Sequence, residues 1–410
     1  MKKTKIGKNK IILLVLLILI ILIVGIYLGK EILFKNNVET SKSDYNNTQI
    51  EQNNSENIEN ELSENNTEIV ELFKEYYDEA EELLSIMSLE EKIGQMFLVR
   101  YPEKGVIDEI KKYSPGGYIL FGRDFKNETK QSILKEINDC QNASKIKMIF
   151  GVDEEGGTVV RVSAYKAFRD SKFKSPQDLW EEGGLSAILK DSNEKSSLLK
   201  SIGLNMNLTP VADVPTKESS FMYKRSFGRG ASETATYISE LIKTMNRDNM
   251  ISAMKHFPGY GDNTDTHTGI AIDNRSLEEF KNNDFLPFKS GIEAEAPTIL
   301  VSHNIVNCMD ENMPASLSKK VHNILRDDLG FTGLIMTDDL AMDAVKSYVE
   351  NGEAAVQAVL AGNDMIISSD FETQRKEVLK AVKQGRISED IINMAVKRIL
   401  ACKYAYKIIT

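Results

Sequence analysis

The feature that most constrains the fold is a repeated alternation between short apolar runs and longer polar stretches. Eight apolar runs follow one another at 95–101, 117–122, 148–153, 206–214, 251–257, 298–303, 334–339 and 364–370. The longer stretches between them have helical spacing, for example at 129–143, 233–249, 277–294, 317–328 and 372–406. Strands that alternate with helices form βα units, and eight units predict an α/β fold with a single (β/α)8 TIM-type barrel. An open doubly wound sheet is the alternative, but no G-x-G-x-x-G follows the first strand.

Most of the predicted strands end in a polar or ionisable residue. These residues are Arg100, Asp153, Asp213, His256, His303, Asp338 and Asp370. In a parallel barrel the carboxyl ends of the strands converge on one mouth, where active sites are built. The sequence therefore predicts a site assembled from several strands.

The N-terminal part of the chain has the pattern of a membrane anchor. The basic segment 1–10 contains five lysines and precedes residues 11–29, nineteen residues without a charge. That is about the length of a helix that crosses a bilayer. A cleaved signal peptide is the alternative, but its apolar region is usually shorter and ends in an A-x-A-like site, which is absent here. Because lysine-rich flanks stay cytoplasmic, we expect a single-pass anchor in the cell membrane with the remaining chain outside the cytoplasm.

Residues 30–69 are rich in Asn and Glu and poor in large apolar side chains. A segment of this composition cannot bury enough surface to offset its ordering entropy, so we expect a flexible linker. The predicted barrel then occupies residues 70–410. Of the net charge of −10, residues 1–35 contribute +6 and residues 36–68 contribute −7, so residues 69–410 carry −9. An acidic domain without a basic stripe argues against nucleic acid as a partner.

The chain contains three cysteines, Cys140, Cys308 and Cys402, without paired spacing. An odd number cannot form a complete set of disulfides. We interpret all three as small buried hydrophobic residues.

Several chemically reactive side chains occur in KHFPGYGDNTDTH, residues 255–267. Lys255 and His256 close the fifth strand, and the proline and glycines of 258–261 interrupt regular structure. Asp265 lies two residues before His267, close enough on a loop to orient the ring. A carboxylate partner favours the imidazolium, which suits a general acid near neutral pH. The alternative interpretation is a solvated polar turn.

Two adjacent aspartates end the seventh strand. Neighbouring strand residues point to opposite faces, so one of Asp338 and Asp339 readily faces the mouth, where a carboxylate is a candidate nucleophile. Asp339 suits the N-cap of the following AMDAV segment. Asp153 ends the third strand within GVDEEGGTVVR, where Arg161 can point back into the site, although a β-turn with incidental charge is the alternative. No predicted element explains Arg225 in KRSFG, which alone would be a surface arginine.

Four of these residues, Asp265, His267, His256 and Asp338, have side chains that can ligate zinc. The sequence nevertheless has no H-E-x-x-H, no cysteine cluster and no pair of histidines at short helical spacing. We therefore expect neither a metal nor another cofactor.

The motifs GVDEEGG, RSFG, KHFPGYGDNTDTH and MTDDLAM, in this order, resemble those of the glycoside hydrolase family 3 β-N-acetylglucosaminidases of the NagZ type. The resemblance covers about residues 80–405. KHFPG followed by D-x-H is typical of the N-acetylglucosaminidase branch, whereas the β-glucosidase branch lacks that dyad and takes its acid from a second domain. The resemblance thus implies a retaining exo-β-N-acetylglucosaminidase.

The same resemblance implies a role for each site residue. Asp338 would be the nucleophile, His267 the general acid/base and Asp265 its partner. Five residues would bind the terminal N-acetylglucosamine through its hydroxyls: Asp153, Arg161, Arg225, Lys255 and His256. In the implied double displacement Asp338 attacks the anomeric carbon while His267 protonates the leaving oxygen and then activates water. Phosphate would compete with water as a variant, because a histidine that has given up its proton repels an anion less than a carboxylate does.

Two positions depart from the family pattern. Tyr260 stands where a second histidine is common, and Thr266 stands where serine is common; Tyr260 bears on loop packing or leaving-group contacts. Location outside the membrane and the resemblance together imply terminal cleavage of peptidoglycan-derived GlcNAc–MurNAc fragments, so the expected partner is an N-acetylglucosamine-containing glycan or muropeptide. The alternatives are an exo-β-glycosidase of another sugar preference and a non-catalytic, membrane-tethered cell-wall-binding protein.

Overall fold

The computed structural model describes residues 71–263, 269, 271–346, 348–349 and 353–410. These residues belong to a compact unit that spans Val70–Thr410. The predicted basic segment 1–10, the anchor 11–29 and the linker 30–69 lie outside the described residues. Within the described part of the chain, no helix combines the length and apolar character needed to cross a membrane.

The centre of the domain is a parallel sheet of eight strands. The strands of the domain are β1 (Phe97–Arg100), β2 (Gly117–Leu120), β3 (Ile149–Val152), β4 (Met206–Asn207), β5 (Ile251–Phe257), β6 (Ile272–Asp273), β7 (Thr298–Val301), β8 (Ile305–Val306), β9 (Leu334–Thr337) and β10 (Ile366–Ser368). The sheet order is β10-β1-β2-β3-β4-β5-β7-β9, and β6 pairs with β8 separately. A bridge between Met336 and Met365 joins the two edges of the large sheet. Each predicted apolar run contains one strand of this near-closed barrel, which confirms the predicted α/β barrel architecture.

Helices alternate with these strands. They are α1 (Tyr77–Ser85), α2 (Leu89–Gln95), α3 (Val106–Tyr113), α4 (Lys130–Ala143), α5 (Pro176–Ser201), α6 (Ala231–Arg247), α7 (Leu277–Asn282), α8 (Phe285–Glu293), α9 (Lys319–Asn323), α10 (Asp343–Lys346), α11 (Glu353–Ala361), α12 (Phe371–Lys383) and α13 (Glu389–Ala405). Short 3-10 segments occupy Lys74–Tyr76, Gly122–Phe125 and Ala315–Leu317, and a π-helical turn occupies Ile324–Asp328. In α6 the buried residues Tyr237, Ile238, Leu241 and Met245 recur at helical spacing, so one face packs on the core.

The structure divides some of the predicted helical stretches and contains several helices outside those named from the sequence, of which α5 is the longest. Asn283, whose backbone is not helical, separates α7 from α8. Gly385, with φ of +72°, lies between α12 and α13. The 26-residue helix α5 was not predicted, because non-helical backbone at Gly183 and Gly184 interrupts its periodicity.

The barrel strands are buried on both faces. All residues of β2, β3, β5, β7 and β9 are buried, which is why they read as continuous apolar runs. At their carboxyl ends the buried residues change from apolar to polar or charged: Asp213, Lys255, His256, Ser302 and His303. Buried charges need partners, so these ends form a connected polar site.

The three cysteines differ in exposure. Cys140 and Cys402 are buried, whereas Cys308 is exposed in the turn that follows β8. The interpretation of three buried cysteines is therefore wrong for Cys308, because an apolar residue in a surface turn has no core to enter.

Candidate active site

A cavity of about 510 Å³ opens at the carboxyl ends of the barrel strands. Its charged lining residues are Arg100, Asp153, Glu155, Arg161, Arg225, Lys255, Asp338 and Asp339, and His256 lines it as well. Six of the predicted site residues therefore share one cavity. This position matches the mouth at which barrel enzymes place their active sites.

Glu155 is the centre of an ion-pair network under the cavity. Arg225 donates to both of its carboxylate oxygens, from Nε at 3.0 Å and from Nη2 at 2.7 Å. Lys255 Nζ lies 2.8 Å from Glu155 Oε1 and 2.6 Å from Asp153 Oδ1. The Lys255 side chain is 3% exposed, so this cation is held in place by two carboxylates rather than by water.

Burial and neighbouring charges shift the pKa values of this network in opposite directions. Burial alone would raise the pKa of the Glu155 carboxyl, but Lys255 and Arg225 hold that pKa well below its usual range. Burial would lower the pKa of Lys255, and Asp153 and Glu155 raise it instead. The network is therefore ionised at neutral pH, with Lys255 and Arg225 available as charged donors at the cavity wall.

His256 is fixed between a carboxylate and a guanidinium. Its Nδ1 lies 2.7 Å from Asp213 Oδ2, and its Nε2 lies 3.3 Å from Arg225 Nη2. Asp213 Oδ1 accepts a hydrogen bond of 2.7 Å from the backbone amide of Tyr260. Tyr260 is buried and presents its ring edge-on to the imidazole, at 5.3 Å between centroids. Tyr260 thus contributes to the packing of the loop around His256.

The two adjacent aspartates both line the cavity, but their carboxylates have different hydrogen-bond partners. Asp339 accepts from the backbone amides of Ala341 and Ser369, both at 3.0 Å, and from the Ser369 hydroxyl. The next helix, α10, begins only at Asp343, so Asp339 closes a turn and is not the N-cap of that helix. Asp338 accepts from the Asp339 amide at 2.8 Å and lines the cavity.

Arg100 and Arg161 complete the charged lining. Arg100 stacks on Phe121, with Cζ 4.7 Å from the ring centroid. The backbone of Arg161 is held by Glu154, whose carboxylate accepts from the amides of Arg161 at 2.8 Å and Val162 at 2.7 Å. Arg161 lines the cavity, and the buried Glu154 carboxylate organises the loop that carries it.

The start of the 258–267 loop is tied to its neighbours. Asp262 accepts from the backbone amides of Thr216 and Lys217, both at 2.9 Å. Arg275 donates to the Gly259 carbonyl at 3.1 Å and pairs with Asp284 at 2.7 Å. The predicted dyad Asp265 and His267 lies outside the described residues.

Two functional residues were not assigned from the sequence. The sequence analysis assigns no role to Glu155 and names Asp213 only as a strand end. Their partners are distant in the sequence: Arg225 lies 70 residues from Glu155, and His256 lies 43 residues from Asp213. Only the recurrence of carboxylates at strand ends pointed to Asp213.

The strand-end residues His303 and Asp370 do not line the cavity; His303 is buried against Ser316, with Nδ1 2.7 Å from its hydroxyl oxygen.

Comparison with known proteins assigns the domain. The family described as "Glycosyl hydrolase family 3 N terminal domain" matches residues 88–402. The chain belongs to glycosyl hydrolase family 3. This membership makes it a glycoside hydrolase and confirms the family that the motifs indicated.

Individual relatives support the same assignment. "Beta-hexosaminidase" of Nitrosomonas eutropha is 30% identical over 278 residues, which are 65% of this chain and 77% of that protein. "Beta-hexosaminidase" of Methylococcus capsulatus is 28% identical over 280 residues, which are 67% of this chain and 81% of that protein. A family 3 β-N-acetylglucosaminidase structure from Paenibacillus sp. superposes with a TM-score of 0.74 at 27% identity, over 78% of this chain. The matched region spans 63% of the Paenibacillus chain.

Proposed function

We propose that this family 3 member is a retaining exo-β-N-acetylglucosaminidase that removes terminal N-acetylglucosamine by double displacement. The observation that carries the proposal is one cavity in which Asp338 shares the wall with Asp153, Lys255, His256 and Arg225. A carboxylate thus lies in the same space as a preformed set of hydroxyl-binding groups. The β-hexosaminidase relatives support the sugar class.

The charge of the cavity fits a neutral sugar. Four cations, Arg100, Arg161, Arg225 and Lys255, face four carboxylates, Asp153, Glu155, Asp338 and Asp339. Because these charges balance, a ligand without charge leaves no ion uncompensated. The hydrogen bonds among Lys255, Asp153 and Glu155 hold donors and acceptors in place before the sugar arrives, which lowers the entropy cost of binding.

Asp338 is the proposed nucleophile, and Asp339 supports it. Asp339 uses both carboxylate oxygens on the turn and on Ser369, so it is committed to structure. Asp338 would attack the anomeric carbon to form a glycosyl-enzyme, and water would release the sugar in a second step. In the scheme that the family resemblance implies, His267 protonates the leaving oxygen and then takes a proton from that water, with Asp265 orienting its ring.

The proposed natural substrates are GlcNAc–MurNAc fragments of peptidoglycan. Two observations support this choice: β-hexosaminidase relatives for the released sugar, and the basic and apolar N-terminal pattern for a position outside the cytoplasm. We propose terminal cleavage because the candidate site is a cavity at the mouth of the barrel.

The test is a comparison of aryl glycosides that differ only in the sugar. We expect the purified full-length protein to hydrolyse aryl β-N-acetylglucosaminide and to release N-acetylglucosamine from muropeptides, with little turnover of the matched β-glucoside. Preferred turnover of the glucoside would assign another exo-glycosidase specificity. Binding of cell-wall fragments without release of sugar would indicate a non-catalytic wall-binding protein.

We also propose that residues 11–29 anchor the protein in the membrane with the barrel outside. Fractionation of cells that express the full chain tests this. Recovery in the membrane fraction after alkaline extraction, with the barrel digested by protease added to spheroplasts, is the expected result. Recovery in the medium or the soluble fraction would contradict an uncleaved anchor.

A further inference from the structure

We propose that Asp213 is a positioning residue that fixes His256 as the Nδ1–H tautomer, so that His256 Nε2 presents a lone pair, not a proton, at the cavity wall. The tautomer is independent of the substrate. Its consequence for sugar recognition rests on the proposed function.

The first observation is the set of donors around Asp213. Its side chain is buried, and its Oδ2 accepts from the His256 backbone amide at 3.1 Å and lies 2.7 Å from His256 Nδ1. Its Oδ1 accepts from the Tyr260 amide at 2.7 Å. Both carboxyl oxygens therefore act as acceptors towards backbone N–H groups, and Oδ2 in that role is an acceptor for Nδ1 as well. Nδ1 must therefore carry the proton.

The second observation comes from the opposite side of the ring. Arg225 Nη2 lies 3.3 Å from His256 Nε2, and a guanidinium group only donates hydrogen bonds. A proton on Nε2 would face a donor and a positive charge. Arg225 cannot readily turn away, because Glu155 holds it through two hydrogen bonds. Both sides of the ring thus require the same neutral tautomer.

The surroundings keep this arrangement away from water. The His256 side chain is 6% exposed and the Asp213 side chain is fully buried. The Tyr260 ring lies edge-on to the imidazole and packs in turn on Phe221, with 5.1 Å between centroids. Tyr260 therefore contributes twice, with its amide on Asp213 and its ring beside His256.

This tautomer divides the work between the two histidines of the 255–267 segment. In this tautomer Nε2 is an acceptor that already faces Arg225, so a sugar hydroxyl that meets Nε2 has to act as a donor and share that lone pair with the guanidinium. A ring without a proton on its cavity side cannot protonate a leaving oxygen. The general-acid role is thereby left to another residue, and His256 contributes to binding and specificity.

Nitrogen-15 NMR of the full-length protein labelled in histidine tests the tautomer directly. The chain has four histidines, and the His256→Gln variant identifies the resonance pair of His256. We expect a protonated Nδ1 and an unprotonated Nε2 at neutral pH. A proton on Nε2, or on both nitrogens, would overturn the proposal whether or not the enzyme acts on N-acetylglucosaminides.

The Asp213→Ala variant tests the role of the carboxylate. We expect loss of the pure Nδ1–H signal and a KM raised by about tenfold to a hundredfold, with a smaller change in kcat. Asp262→Ala is the matched control, since it also removes a loop carboxylate that accepts from two backbone amides but does not contact His256. In this control the tautomer of His256 should not change. An unchanged tautomer and KM in Asp213→Ala would refute the positioning role. If that variant does not fold, the spectrum of the unmodified protein still decides.

Discussion

At the residue level, Asp338 and Asp339 are neighbours in the chain but differ in what their carboxylates hold. Both line the cavity, but the Asp339 carboxylate is also bound by Ser369 and by the Ala341 amide. Both follow Thr337, the last residue of β9, and the hydrogen bonds of Asp339 to the turn leave Asp338 as the candidate for the reaction.

The matched pair Asp338→Asn and Asp339→Asn separates these roles. Removal of a nucleophile that acts in a covalent step should lower kcat by about 10⁴-fold or more, with little effect on thermal stability. Asp339→Asn should lower the melting temperature, because it weakens the turn, and should retain more activity. Steady-state kinetics and thermal unfolding measure both. The reverse pattern would transfer the nucleophile to Asp339.

Glu155 gives a prediction about stability and pH. Glu155→Gln leaves Lys255 and Arg225 buried without their shared carboxylate, which should cost about 3–5 kcal/mol in the free energy of unfolding at pH 7. The folded-state pKa of Glu155 lies below its ordinary value of 4.5. Its stabilisation is therefore fully present above about pH 4.5 and is lost as the pH falls towards the folded-state pKa. Urea unfolding of both proteins should show a gap that narrows in acid; a gap independent of pH would contradict the ion-pair network.

At the level of elements, the corner after β5 brings together the strand end and the following loop. Gly259 has φ of +118°, and a Cβ atom there would lie 2.3 Å from Asp284 Oδ1. Arg275 binds both Asp284 and the Gly259 carbonyl, so the corner has no room to relax.

Gly259→Ala should therefore destabilise the domain by roughly 3 kcal/mol or more and lower kcat/KM, because the corner supports His256 and Tyr260. Gly385→Ala is the control, since Gly385 also has a positive φ of +72° but has open space around its Cα. That control should cost only about 1 kcal/mol and leave kinetics unchanged. Urea unfolding and kinetics on both variants decide; equal effects would show that backbone strain alone matters at Gly259.

How far the sequence predicts each element depends on how local its signal is. The barrel strands were predictable because strands buried on both faces are continuous apolar runs, and Asp153, Lys255, His256 and Asp338 were found at their ends. Helix α5 was missed because Gly183 and Gly184 break its pattern. The partnerships of Glu155 and Asp213 were missed for another reason: ion pairs across the barrel leave no periodic signature in the chain.

At the level of the whole molecule, the last helix contributes a buried lysine to the domain. Lys403 on α13 is fully buried, and its Nζ donates to Gln95 Oε1 on α2 at 2.7 Å. Among the described residues, no carboxylate pairs with it. Burial lowers the pKa of Lys403 to about 7.

Because the pKa of Lys403 is lowered by burial, we expect the stability of the domain to depend on pH. Between about pH 7 and the ordinary pKa of 10.5 the unfolded chain binds the proton and the folded one does not, so stability rises with pH across that window. The contribution reaches about 1.4 kcal/mol per pH unit. Lys403→Met should remove that slope, and Lys383→Met, at an exposed ion pair with Glu90, should retain it. Urea unfolding from pH 6 to 10 measures the slopes; equal slopes in Lys403→Met and the unmodified protein would contradict a neutral Lys403.

Covalent trapping of the glycosyl-enzyme tests the proposed mechanism most directly. A 5-fluoro-N-acetylglucosaminyl fluoride should slow the second displacement more than it slows the first, so that the sugar accumulates on the nucleophile. We predict a mass increase of one fluorosugar per chain, located by peptide mapping on Asp338 and absent in Asp338→Asn. A label on Asp339, or turnover of the aryl N-acetylglucosaminide that persists undiminished in Asp338→Asn, would contradict the proposed double displacement through Asp338.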